Sequence, residues 1–71
     1  MYNIQINNVS LDNAKTIITA FPELLIETED FFEFKRYNVF SKQINFETVI
    51  KILNYINSHL VINDFYEIII K

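Results

Sequence analysis

Tyr2, Ile4 and Ile6 alternate with Asn3, Gln5 and Asn7, the period of two imposed on a strand with one buried face. This predicts a first strand over residues 2–7. The period then changes: Leu11, Ala14, Ile17, Ile18 and Phe21 recur at helical spacing, and Ser10 stands where a side-chain oxygen can accept from the free N–H groups of a first turn. Pro22 disfavours helical geometry in the residue before it. A first helix is expected over about 11–20.

From Glu23 the period of two returns, with Leu24 and Ile26 on one side and Leu25, Glu27 and Glu29 on the other. A second alternating run sets Phe32 and Phe34 against Phe31, Glu33, Lys35 and Tyr37, and aromatic side chains suit a pleated surface. Glu29 and Asp30 lie between these two strands. Without Gly or Asn there, the expected connection is a loop of about three to five residues on a type I turn, not a two-residue primed turn.

Asn45 is placed to cap a second helix over about 46–59, with Phe46, Val49, Ile50, Leu53, Ile56 and Leu60 as its apolar stripe. Glu47 near its start suits the helix dipole. The last alternation sets Tyr66, Ile68 and Ile70 against Phe65, Glu67 and Ile69, which predicts a fourth strand after a turn at Asn63 and Asp64.

The order is β-α-β-β-α-β, in the α+β class. It is the ferredoxin-like arrangement of two split βαβ units, with both helices on one face of a four-stranded antiparallel sheet. Right-handed crossovers give the spatial strand order 4-1-3-2. A competing topology pairs a short strand at Val61 and Ile62 with residues 65–70.

Composition narrows the function classes. Seventy-one residues with 51% hydrophobic side chains have room for one core, so residues 1–71 are expected to form a single compact domain. No Cys is present, which removes disulfides and thiolate metal sites and suits a reducing compartment such as the cytoplasm. No Gly is present either. Phosphate-cradling loops and dinucleotide fingerprints need Gly for close backbone approach, so those nucleotide enzymes are excluded. No apolar run exceeds three residues, and a membrane-spanning helix needs about twenty. The net charge of −3 argues against general binding to a phosphate backbone, which depends on Lys and Arg.

Candidate chemistry is sparse. His59, the single histidine, falls at the predicted end of the second helix, where Asp64 would have to orient it as a general base. One imidazole without a nucleophile or a second convergent group reads as a helix-terminal residue, so no enzyme and no cofactor are expected. Glu27, Glu29 and Asp30 supply hard oxygens but follow no calcium-loop pattern, so no metal site is expected.

Charge and grease are more informative. Five of the nine acidic residues, Glu23, Glu27, Glu29, Asp30 and Glu33, fall within 23–33, a stretch with no basic residue. Such a run either protects a sheet edge or meets a basic partner. On the strand register above, the sheet face away from the helices displays Leu25, Phe31, Tyr37, Phe65 and Ile69 among Glu27, Glu33 and other polar groups. A solvated antiparallel face is expected to be nearly all polar, and apolar anchors ringed by charge resemble the centre and rim of an interface.

The function expected is therefore non-enzymatic protein binding through Leu25, Glu27, Glu29, Asp30, Phe31, Glu33, Tyr37, Phe65 and Ile69. One concrete form is an inhibitor that occupies a basic, nucleic-acid-binding surface of a larger protein, in the manner of small phage anti-defence proteins, an analogy of size and acidity alone. An alternative is a self-associating subunit, a homodimer joined through the sheet edge or face, because the last strand is an apolar edge. A third is single-stranded RNA binding by stacking on Tyr2, Phe31 and Tyr37, against which the strand lacks the glycine pattern of such sheets and carries Glu33.

Overall fold

The computed structural model describes residues 1–30, 33–60 and 66–71. The elements are β1 (Tyr2–Val9), α1 (Leu11–Ala20), β2 (Leu25–Asp30), β3 (Lys35–Ile44), α2 (Phe46–His59) and β4 (Glu67–Ile70). They form one antiparallel sheet in the order β2-β3-β1-β4. This is the expected βαββαβ arrangement, consistent with a ferredoxin-like fold, and both helices have the expected bounds.

The caps explain why the helices begin where they do. The Asn13 N–H donates to Ser10 Oγ at 3.3 Å, and the Thr48 N–H donates to Asn45 Oδ1 at 2.8 Å. Each side chain satisfies a donor that the first turn leaves without a carbonyl. At the other end of α1 the Phe21 N–H still reaches the Ile17 carbonyl, and Pro22 then stops the helix.

One hydrophobic cluster joins sheet and helices: Ile4, Ile6, Val9 and Val39 from the sheet, Ala14 and Ile17 from α1, and Ile52 and Ile56 from α2. The buried line of α2 runs through Val49, Ile52, Ile56 and Leu60. It is rotated from the expected stripe, leaving Phe46 and Ile50 exposed. Eight hydrophobic residues between 46 and 60 make a stripe too broad for spacing alone to centre. Phe46 instead lies against Tyr2, with ring centroids 5.8 Å apart.

Two irregularities set the sheet's register. In β1 the pairing shifts between Ile6 and Val9, and Asn8 has φ 62°. The extra residue reverses the alternation, so Val9 is buried along with Ile4 and Ile6. That is why β1 runs two residues beyond the expected strand. In β3, Gln43 has φ 56° beside a second shift, and its N–H donates to Asn3 Oδ1 at 3.0 Å. Asn tolerates the left-handed region better than Gln does.

The β2–β3 hairpin corrects the expected turn and the expected face of Tyr37. Asp30 pairs with Lys35 and Glu29 with Arg36, so Glu29 and Asp30 belong to β2 and not to a turn. Phe31 and Phe32 lie outside the described residues, and Phe34 is 58% exposed. Within β3, Val39 sits opposite the buried Ile6. Odd-numbered residues near it therefore face the helices, and Tyr37 packs on the core cluster. Opposite charges across the hairpin and burial of Val39 favour this register. The aromatic run at 31–34 suggested the other one.

The competing strand at Val61 and Ile62 falls outside the described residues. Among the described residues, no helix is long and apolar enough to cross a membrane.

Candidate functional site

The sheet face turned away from the helices is read from the ladder, because directly opposed residues share a face. Leu25 pairs with Phe40, Phe40 with Gln5, and Gln5 with Ile69. These four side chains make one row across all four strands, about 14 Å from end to end at the usual strand spacing. Leu25 is 60% exposed, while Phe40 and Ile69 are half-buried. Between Phe40 and Ile69 lies a hollow of about 90 Å³, bordered also by Gln5, Lys42 and Lys71.

The polar groups divide to either side of this row. Toward one end stand Glu27, opposite Asn38, and Glu67, opposite Asn7. Glu29 follows, opposite Arg36. The Asn38 amide ties the strands together: its Oδ1 accepts from the Asn8 N–H at 3.0 Å, and its Nδ2 lies 3.5 Å from Glu27 Oε1 and 3.4 Å from Glu29 Oε2. Arg36 donates from Nε to Asn8 Oδ1 at 2.9 Å and from a terminal nitrogen to the Asn8 carbonyl. These contacts hold the irregular turn of β1 against β3 and fix the carboxylates beside the row. Lys42 and Lys71 flank the opposite end.

β2 is the most exposed strand of the sheet. All six of its residues are exposed, including Ile26 on the helix side at 45%. Glu23 and Glu33 are exposed as well, so every carboxylate of the acidic stretch faces solvent. Asp30 approaches Lys35 at 3.9 Å with both side chains largely in water, where such a pair contributes little.

Of the residues expected on this face, Leu25, Glu27, Glu29 and Ile69 are brought together there. Asp30 and Glu33 lie toward the hairpin tip. Tyr37 is on the covered face, and Phe31 and Phe65 lie outside the described residues. Phe40, Asn38 and Arg36 were missed. Continuing the expected alternation, with Tyr37 outside, puts Phe40 on the covered side with Phe34; only the pairing of Val39 with the buried Ile6 turns Phe40 outward. Tyr2 shares the covered side with Ile4 and Ile6, so neither it nor Tyr37 offers a ring for base stacking on the open face.

His59 ends α2, stacked on Tyr55 with ring centroids 4.0 Å apart and Nδ1 3.1 Å from the Tyr55 carbonyl oxygen. In its Nδ1–H tautomer the ring donates to this carbonyl, one turn back along the helix. Asp64 lies outside the described residues. Among the described residues no three His, Asp or Glu side chains gather as a metal-ligand group. No family model, curated protein or solved structure matches this chain.

Proposed function

We propose that this chain is a non-enzymatic protein-binding module that docks a basic surface of a larger protein through the open sheet face and the acidic β2 arm. The observation that carries this reading is the row Leu25–Phe40–Gln5–Ile69, three apolar side chains and one amide on the face turned away from α1 and α2, bordered by Glu27, Glu29 and Glu67. Covering Leu25 and Phe40 removes apolar surface from water, the main favourable term in association. The carboxylates, rigidly spaced along strands, steer the encounter and set its register while contributing less to affinity. The hollow beside Phe40 suits a small partner side chain. A partner whose own function needs Lys and Arg, such as a nucleic-acid-binding protein, would be inhibited by occupation alone. The cysteine-free composition suits work in the cytoplasm.

The test is capture from an extract of the source cells on immobilised protein, with the wild type beside a Leu25→Ser/Phe40→Ser variant. Leu25 is exposed and Phe40 half-buried, both on the face turned away from the core, so the circular dichroism spectrum is expected to be unchanged. Capture of a basic protein by the wild type, eluted by salt at about 0.5 M, where exposed charges are screened within a few Å, and lost in the variant, is the expected result. Equal capture by both would remove the open face from the account.

A further inference from the structure

We propose that two copies of this chain pair antiparallel through β4, about a two-fold axis at Ile69, to make one eight-stranded sheet. This goes beyond the docking role above, since it rests on a strand edge and on a second copy as occupant.

The backbone decides which groups are available. Asn3 and Lys71 exchange both hydrogen bonds, N–H to carbonyl, at 2.8 and 2.9 Å. Successive residues of a strand point their backbone groups to opposite sides. Ile69 and Glu67, in step with Lys71, therefore face β1, which among the described residues is the one strand that borders β4. Ile68 and Ile70 turn their N–H and C=O groups to the outer edge. An edge of β-branched residues with groups directed outward is a template for a further strand.

The segment Glu67-Ile68-Ile69-Ile70-Lys71 complements itself when reversed. With the axis at Ile69, Ile68 faces Ile70 of the second copy and the outward groups of both form the bonded pairs, four N–H···O bonds in all. Ile69 meets its own copy at the non-bonded position, where side chains stand closest. Glu67 faces Lys71 of the second copy, twice by symmetry. All three of these side chains lie on the open face, so the pairing joins like face to like face. Moving the axis to Ile68 would set Glu67 against Ile69 and lose both charge pairs. Moving it half a step would set covered-face side chains against open-face ones.

The other edge is unsuited to a second copy. β2 carries Glu27, Glu29 and Asp30 among its six residues, and pairing it with itself crowds six carboxylates together. Like charges facing each other across strands destabilise. Self-pairing through β4 leaves β2 free.

The full chain is measured by sedimentation velocity from about 1 µM to about 500 µM, the span for an interface smaller than the standard size. The wild type is expected to show a monomer–dimer equilibrium. Glu67→Lys and Lys71→Glu should each weaken it about fivefold or more by replacing attraction with repulsion. A one-to-one mixture of the two should dimerise like the wild type, because the mixed pair restores both charge contacts. Ile70→Pro, which removes an outward N–H, should weaken it about tenfold or more. Monomer at every concentration overturns the proposal, as does a dimer indifferent to Ile70→Pro. Single variants that associate as well as their mixture overturn the Ile69-centred register. If Ile70→Pro fails to fold, the charge variants decide. The Leu25→Ser/Phe40→Ser variant should still dimerise, which separates failure here from failure of the docking role.

Discussion

Replacing Ile6 with Ala is expected to lower the unfolding free energy by about 2–5 kcal/mol, the usual cost of truncating a buried large aliphatic side chain. Ile6 has no exposed surface and lies on β1 between Val39 of β3 and Ile68 of β4. The cavity would open where three strands meet the helices. At roughly 0.05–0.15 kcal/mol per residue, a chain of 71 residues has a total stability of similar size. The melting temperature is expected to fall by roughly 8–40 °C, since each kcal/mol moves a domain of this length by about 4–8 °C. Urea titration at low micromolar concentration should show the midpoint moving with little change in slope. Leu25→Ala is the informative control. Its side chain is 60% exposed, so its loss should cost less than about 1 kcal/mol. A cost comparable to that of Ile6 would make Leu25 a structural residue and weaken its assignment to docking.

Pro at position 69 is expected to destabilise the fold by roughly 3 kcal/mol, while Pro at position 70 should cost far less. The difference follows from the Asn3–Lys71 pair, which assigns the Ile69 N–H to the ladder with β1 and the Ile70 N–H to the outer edge. Ile69→Pro removes an inner bond and leaves a carbonyl of β1 without its donor. It also forces φ away from strand values. Ile70→Pro removes a donor that no strand among the described residues uses. Paired denaturation curves at low micromolar concentration check this. Equal losses would contradict the backbone alternation on which the dimer geometry stands.

The sequence disclosed the helices and the topology more fully than the open face. Helix bounds were legible because Ser10, Asn45 and Pro22 are chemical punctuation with local consequences. Strand order followed from element order and the handedness of crossovers. The outward face of β3 was not legible from its first residues. Glu33 and Phe34 continue an aromatic run with the content of a strand, yet among the described residues β3 begins at Lys35. What decides is long-range: Val39 must meet Ile6 in the core, and Glu29 and Asp30 find Arg36 and Lys35 across the hairpin. The bulge at Asn8 was equally hidden, since its cause is the need to bury Val9, and the Asn38 side chain that holds the turn is 30 residues from Asn8. Leu25, Glu27, Glu29 and Ile69 were placed on the open face from sequence because β2 and β4 are short and regular, with one neighbour each.

The most direct test is side-chain footprinting of the complex: hydroxyl-radical labelling of the free chain and of the chain bound to its captured partner, read residue by residue. Docking through the open face predicts that labelling of Leu25 and Phe40 falls severalfold on binding, while Leu11 and Ile50, exposed on the helices, label as before. Unchanged labelling at Leu25 and Phe40, with protection on α1 or α2 instead, would contradict it.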